Sequence, residues 1–182
     1  SPTFWSTDLS SDGMTGSLNT SCITWSNLEV IQLYLEQTSK RYNGEIRSVY
    51  LTEGGVSSSK EGSGEVFELT KNQQSAGIAY IYYKCTQLSC VKALIYYRLV
   101  DSQYEGANFG LYTEDGLLQK PAYRVYKYID TQYSFEVSKQ YLKYITWSVS
   151  DGWSTISYGE EVGNVNSYFD TMALFRSKFD WN

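Results

Sequence analysis

Two apolar stretches, each followed by a helical pattern, constrain the fold of this chain more than any other feature of its sequence. Residues 47–53 and 92–100 have the composition of buried strands, and the second is apolar almost throughout. Apolar side chains at helical spacing follow each of them, at residues 65–84 and 122–130. Two successive strand–helix units imply a crossover after each strand, and crossovers join parallel strands. The sequence therefore predicts an α/β fold with a parallel sheet.

The first of these strands ends on a carboxylate. Val49, Leu51 and Glu53 have the same parity, so a regular strand would place them on one face. Gly54 and Gly55 follow directly and allow the backbone to turn sharply. Parallel α/β enzymes assemble their chemistry at the carboxyl ends of strands, so Glu53 is the candidate catalytic carboxylate. The alternative is a Glu at a strand end that simply faces water.

The composition excludes several classes of function. The net charge is −5 and the basic residues are scattered, so we expect neither nucleic acid nor an anionic membrane as a partner. No apolar run reaches the roughly 20 residues that span a bilayer. The chain has no His, which excludes Ser-His-Asp and Cys-His sites within it and removes the commonest transition-metal ligand. Three cysteines are too few for an all-cysteine zinc site, and we expect no metal and no cofactor.

Two cysteines lie close together in the sequence. Cys85 and Cys90 stand between a predicted helix end and the next strand. They are near enough to form a disulfide in an oxidising compartment, and two free buried thiols are the alternative. Cys22 is then left as a core or loop thiol.

The chain is rich in aromatic side chains. Aromatic residues make up 16% of the sequence and include 18 Tyr and five Trp. Flat rings with a polar edge suit sugar recognition, although they also fill cores well. Trp5 and Trp25 lie in a stretch rich in Ser, Thr and Gly that is typical of a long loop. These two residues, together with Trp147 and Trp153 in a later loop-like stretch, are candidate sugar platforms, and packing within the loops is the alternative.

Five short motifs occur in order over roughly residues 20–130. They are Tyr-Leu-Thr-Glu-Gly-Gly at 50–55, Gln-Ser-Ala-Gly-Ile-Ala-Tyr at 74–80, Tyr-Arg-Leu-Val-Asp at 97–101, Asn-Phe-Gly-Leu-Tyr at 108–112 and Lys-Pro-Ala-Tyr at 120–123. Together they resemble the last strands and helices of clan A glycoside hydrolases, which are TIM barrels. Within that clan the chain is similar to a group of largely uncharacterised bacterial glycosidase-like barrels, in which Ser/Thr-Glu on strand seven precedes a Gly.

The resemblance implies a role for Glu53. It matches the strand-seven glutamate, which attacks the anomeric carbon in retaining enzymes of this clan. Retaining hydrolysis needs a second carboxyl group about 5 to 5.5 Å away to protonate the leaving oxygen. In the clan that group lies on strand four, upstream of these residues. The isolated chain is therefore expected to be inactive.

Tyr97 and Arg98 are the expected substrate contacts, because they stand at the end of the second strand. Arg98 could hold the carboxylate of Glu53 or a sugar hydroxyl, and an ion pair with Asp101 or Glu105 is the alternative. The related barrels often carry His near this strand end, which this chain lacks. Its substrate contacts are therefore expected to differ or to be lost.

We expect the C-terminal portion of a (β/α)8 TIM barrel. A complete barrel has roughly 250 residues, whereas this chain has 182 and begins without Met, so we expect a piece of a longer protein. Residues 1–131 would form the last strand–helix units. Residues 132–182 would form a C-terminal extension packed on the barrel, with helices at 135–145 and 166–175 and a loop through Trp147 and Trp153. Because part of a barrel leaves an apolar sheet face and strand edges uncovered, we expect the missing N-terminal portion or a homo-oligomer to cover them.

The expected function is part of a glycoside hydrolase that cleaves a β-linked glycan with retention. Its substrate is a carbohydrate, and the expected location is secreted or on the cell surface. The alternatives are a non-catalytic carbohydrate-binding module and a purely structural barrel fragment.

Overall fold

The computed structural model describes residues 18–20, 23, 25, 27–58, 68–105, 107–141, 145–148 and 155–158. The helices are α1 (Glu29–Glu36), α2 (Glu68–Gln87), α3 (Pro121–Tyr128) and α4 (Ser134–Ser138), with a 3-10 turn (Thr38–Lys40) after α1. The strands are β1 (Val49–Gly54), β2 (Val91–Tyr96), β3 (Ile145–Ser148) and β4 (Thr155–Tyr158). No helix within these ranges is long and apolar enough to cross a membrane.

β1 and β2 form a two-stranded parallel sheet. Val49 is paired with Val91, and Leu51 with Leu94. A tight turn cannot join parallel strands, and the 20-residue helix α2 lies on the connection between them. The parallel pairing predicted from the two strand–helix units is therefore confirmed. β3 and β4 form a separate antiparallel pair.

The ladder between β1 and β2 is irregular near the end of β1. The register shifts between Leu51 and Gly54, which are both buried, whereas Thr52 and Glu53 between them are both exposed. Such an irregularity breaks the alternation of side chains along a strand. The prediction that Leu51 and Glu53 share a face is therefore wrong, and Glu53 lies in solvent.

The core lies between the sheet and the helices. Trp25, Leu28 and Tyr80 are fully buried in one cluster that also includes Leu51. α2 packs against α3, and α4 packs against both. Tyr50 and Ile95, in contrast, expose 63% and 57% of their surface. In the described part of the chain, the sheet is therefore buried on its helical side and carries exposed apolar side chains elsewhere.

Two predicted elements are shorter in the structure. The strand predicted at 92–100 ends at Tyr96, because the next residues leave the ladder and Val100 forms a bridge with Tyr112 instead. Ser26 and Glu29 form a capping-box pattern that predicts a helix at 27–40. In the structure α1 ends at Glu36, after two turns, and a separate 3-10 turn follows it. Apolar content alone does not show where a strand stops pairing.

The predicted C-terminal extension differs from its sequence pattern. The helix expected at 135–145 is the five-residue helix α4, and Ile145 already belongs to β3. Trp147, expected in a loop, lies in β3 opposite Ile156. The apolar spacing of residues 135–145 favours a helix, and it gives no sign that the residues from Ile145 onward pair with β4. Trp153 and the helix predicted at 166–175 lie outside the described residues.

Candidate functional site

The carboxyl ends of β1 and β2 meet directly. The N–H of Tyr97, the first residue after β2, donates to the carbonyl of Gly54 at 2.8 Å. Gly55 lies so close to the Tyr97 carbonyl that a Cβ atom there would collide with it, and the Phe109 ring is also in contact range. Glycine therefore permits this close approach. The exposed side chain of Glu53 stands at the same edge of the sheet as Tyr97.

Three side chains form a cluster at this edge. The Tyr97 hydroxyl and the Arg98 Nη1 each donate to the same oxygen, Oε1 of Glu105, at 2.5 Å. The Arg98 guanidinium also lies over the Tyr97 ring, 5.7 Å from its centre. Among the alternatives for Arg98, the structure thus shows the ion pair with Glu105. We call Tyr97, Arg98 and Glu105 the edge cluster.

The edge cluster and Glu53 interact electrostatically. The hydrogen bond to Glu105 raises the pKa of the Tyr97 hydroxyl above its usual value, because losing the proton would place two negative charges together. Some loss of hydration and the charge of Glu105 add to this shift, Arg98 opposes it, and Glu53 contributes in the same direction as Glu105. Two carboxylates and one guanidinium therefore act on one tyrosine hydroxyl.

A buried ion pair anchors the loop that carries Glu105. Lys120 lies 2.5 Å from a carboxylate oxygen of Asp101 and also donates to Ser58 Oγ. The other Asp101 oxygen accepts from the N–H of Gly110. Burial lowers the pKa of Lys120, and the bond to Asp101 opposes that change. The loop between β2 and α3 is thus fixed to both of its ends and to the segment after β1.

Gln74, on α2, forms hydrogen bonds from the buried side to the loops that follow β1 and β2. Its Nε2 donates to the carbonyls of Val56, Phe109 and Gly110 at 2.9 to 3.2 Å, and its side chain is fully buried. Tyr96 donates its hydroxyl to the Phe109 carbonyl in the same layer, and burial raises the pKa of that hydroxyl. Buried backbone carbonyls need such donors, so α2 fixes how the loops after β1 and β2 sit.

A cavity among the described residues lies away from the edge cluster. It has a volume of about 480 Å³, lies between α2, β2 and α3 and opens to solvent, with side chains such as Ile78, Leu94 and Tyr126 in its wall. Glu53 and Arg98 do not line it. The candidate site is therefore the open edge at the strand ends, where the carboxylates are, rather than this mainly apolar cavity.

A protein-family model matches the part of the chain that contains the candidate site. Residues 1–154 match the model of DUF5722, a family of unknown function. The chain belongs to DUF5722. No curated protein and no solved structure matches it. The matched range contains Glu53 and the whole edge cluster, so the site belongs to the part of the chain that the family describes.

One of the four candidate tryptophan platforms, Trp25, is wrong in this DUF5722 chain. Trp25 is fully buried, so its ring cannot stack on a sugar. It packs against Gly54, where a Cβ atom would come within 2.5 Å of the ring. The ring thus fills the space that the missing side chain of Gly54 leaves behind β1. Trp5 lies outside the described residues.

Cys85 and Cys90 are free, buried thiols. The structure thus shows the second of the two alternatives for this pair. Burial, with a smaller effect of Cys90, raises the pKa of Cys85 to about 12, and burial also raises the pKa of Cys90. In the described ranges, no group of three His, Cys, Asp or Glu side chains could hold a metal ion.

Two residues of the site were not identified as such from the sequence. The sequence indicates Glu105 only as an ion-pair partner of Arg98, and it does not single out Tyr104. Tyr104 exposes 89% of its surface and directly precedes Glu105, at the tip of a turn closed by the Glu105 N–H and the Ser102 carbonyl. The Tyr-Glu-Gly sequence of this polar loop was the available signal, since an aromatic residue in such a turn has no core to fill.

Proposed function

We propose that this DUF5722 protein is a glycoside hydrolase in which Glu53 is the nucleophile of a retaining mechanism. The observation that carries the proposal is the position of Glu53. Its exposed carboxylate stands at the carboxyl end of a parallel strand, where the neighbouring strand end presents Tyr97 and Arg98. The motif resemblance to the last units of a clan A barrel supports the same assignment.

In the proposed reaction, the Glu53 carboxylate attacks the anomeric carbon, and the bond to the leaving oxygen breaks. A second carboxyl group protonates that oxygen and later activates the water that releases the sugar with retained configuration. In a clan A arrangement this second group stands on strand four, which precedes the strand that carries the nucleophile. The remaining strands of the barrel would then also cover the exposed Tyr50 and Ile95.

The substrate contacts follow from the edge cluster. Arg98 uses Nη1 for Glu105, and its other N–H groups can donate to sugar hydroxyls. The exposed ring of Tyr104 offers an apolar face for a sugar ring. A glycan as substrate fits a secreted or cell-surface protein.

A carbohydrate-binding function without hydrolysis is the second candidate. The exposure of both Glu53 and Tyr104 favours it, because a carboxylate in solvent is a hydrogen-bond acceptor for sugar hydroxyls without further activation. The two candidates differ in whether Glu53 forms a covalent bond.

The test compares Glu53→Gln with wild type in the full-length protein that carries these residues. The substrates are a panel of aryl glycosides, and a matched 2-deoxy-2-fluoro glycoside serves as a covalent trap. We expect roughly a thousandfold loss of kcat in Glu53→Gln, and a trapped sugar on the peptide that contains Glu53. Glu45→Gln, an exposed carboxylate before β1, is the control and should keep wild-type activity.

Each other outcome decides between the candidates. Unchanged hydrolysis by Glu53→Gln would overturn the nucleophile assignment. No hydrolysis by either protein, with glycan binding that Glu53→Gln weakens, would favour the binding function. Neither hydrolysis nor glycan binding by wild type would reject both.

A further inference from the structure

We infer that Glu105 is a positioning residue, which holds the Tyr97 hydroxyl and the Arg98 guanidinium together beside Glu53. The inference rests on the proposed function for its link to catalysis, although the contacts themselves can be measured without any activity. It assigns a role to a residue of the loop between β2 and α3, which belongs to neither strand of the sheet.

The first argument is that a single oxygen organises two neighbouring side chains. Tyr97 and Arg98 are adjacent in sequence, and both donate to Oε1 of Glu105. Hydrogen bonds to a charged acceptor are roughly twice as strong as neutral ones. The guanidinium is also held over the Tyr97 ring, which makes an edge contact with the Phe109 ring. Removing Glu105 would therefore release both donors together.

The second argument is that the backbone of Glu105 is held in place by hydrogen bonds and by a neighbouring ion pair. Its N–H donates to the carbonyl of Ser102, and the turn so formed directly follows Asp101, which is locked to Lys120. On the other side of the turn, Gln74 holds the carbonyls of residues 109 and 110. A side chain on a fixed turn can define the position of its partners, which a side chain on a free loop cannot.

The third argument concerns charge. The side chains of Arg98 and Glu105 are 36% and 25% exposed, so water screens their attraction only in part. Glu105 balances the positive charge of Arg98 at a site that also contains Glu53. Without Glu105, the Arg98 guanidinium would be free to form an ion pair with Glu53. That pair would block the carboxylate that is proposed to attack the substrate. Glu105 thus keeps Arg98 in place and Glu53 available.

The test uses Glu105→Gln in the full-length protein, with Glu114→Gln as the matched control on the same loop. The substitution keeps the size of the side chain and removes its charge. With aryl glycosides, we expect kcat to fall by about a hundredfold while KM changes by less than about threefold, because binding groups remain but their alignment is lost. In an Arg98→Met background, the same Glu105→Gln change should cost clearly less than in the wild-type background, because only the bond to Tyr97 is then lost.

A second readout does not depend on activity. Proteins labelled with 3-fluorotyrosine are titrated by 19F NMR, and the Tyr97 signal is assigned with Tyr97→Phe. The charges that face this hydroxyl are Glu105, Arg98 and Glu53. We expect Glu105→Gln to lower the Tyr97 pKa relative to wild type, and Glu114→Gln to leave it unchanged.

The two readouts separate this inference from the proposed function. If the wild-type protein hydrolyses no glycoside but Glu105→Gln shifts the Tyr97 titration, the contacts are right and the proposed function fails. If the Tyr97 titration does not move, Glu105 does not hold Tyr97, and the inference is overturned whatever the activity. Equal kcat values for Glu105→Gln and wild type in an active enzyme would also overturn it.

Discussion

The ammonium of Lys120 lies 2.5 Å from the carboxylate of Asp101, and the two side chains are only 1% and 4% exposed. They join the two ends of the loop that carries Tyr104 and Glu105. A buried charge without its partner is costly, because neither water nor a counter-ion replaces the lost contact. The pair therefore fixes the position of the site from a place that no substrate reaches.

We predict that Lys120→Met destabilises the protein by about 4 kcal/mol, since it leaves Asp101 buried without its cation. Asp101→Asn should cost about 3 kcal/mol for the converse reason. The double variant should cost clearly less than the sum of the two, because no isolated charge remains. Urea denaturation of wild type and the three variants measures this cycle, and additive losses would show that the pair is not coupled.

A second ion pair, which joins the first turn of α1 to the last turn of α2, is predicted to stabilise the fold. Lys84 is 3% exposed in its side chain and donates to Glu29 at 2.5 Å. Burial lowers the pKa of Lys84, and Glu29 opposes that change. Glu29→Gln should lower the free energy of unfolding by about 2 to 3 kcal/mol.

The control for this prediction is a surface pair of the same length. Glu136 and Lys139 also lie 2.5 Å apart, but their side chains are 59% and 43% exposed. Glu136→Gln should cost less than about 0.5 kcal/mol. Thermal or urea denaturation compares the two variants, and similar losses would contradict the argument from burial.

We predict that Tyr104 contributes to glycan binding and not to stability. Tyr104→Ala should leave the melting temperature within experimental error, because the ring is 89% exposed. Loss of a stacking face should weaken binding of an oligosaccharide by about fivefold to tenfold. Isothermal titration calorimetry measures the affinity. The control is Tyr42→Ala, which removes another exposed ring before the start of β1 and should bind like wild type.

Cys85 is predicted to be protected from thiol reagents in the folded protein. Its pKa of about 12 keeps it protonated at about pH 8, and the thiolate is the reactive form. In a Cys22→Ser background, a chromogenic aromatic disulfide reagent should react with Cys85 and Cys90 only after unfolding. Fast labelling of the native protein at the same pH would show that the thiols are accessible.

The same thiol makes stability depend on alkaline pH. The folded pKa of Cys85 is raised from the ordinary value of 9.0 to about 12, so the folded state keeps a proton that the unfolded state releases. Its contribution to stability is therefore complete below about pH 9 and is lost as the pH rises from about 9 to about 12, by up to about 1.4 kcal/mol per pH unit. Cys85→Ala should show a smaller loss over this window when urea denaturation is repeated across it.

The sequence predicted the elements whose signals are local. The apolar run before Glu53 is a strand, and Pro121 occupies the first turn of α3 as its fixed φ favours. Two strand–helix units in succession predict the parallel pairing of β1 and β2. These features need only near neighbours in the chain and the rule that connects parallel strands.

The features that sequence reasoning missed depend on distant contacts. Glu53 is exposed because the register shifts against β2, which the alternation within β1 does not reveal. Trp25 is buried because Gly54 makes room for its ring, although its own neighbours have the composition of a loop. Glu105 acts through Tyr97 and Arg98, which a charged residue in a polar loop does not indicate by itself.

The parallel pairing of β1 and β2 has a thermodynamic consequence for any ligand at this site. Glu53 and Tyr97 are brought together only after the whole crossover through α2 has formed, so the unfolded chain contains no part of the assembled site. A ligand that contacts both strand ends therefore binds only the folded sheet and raises its stability by mass action. Measuring the melting temperature of this protein with each member of a glycan library would detect binding even where no glycosidic bond is cleaved.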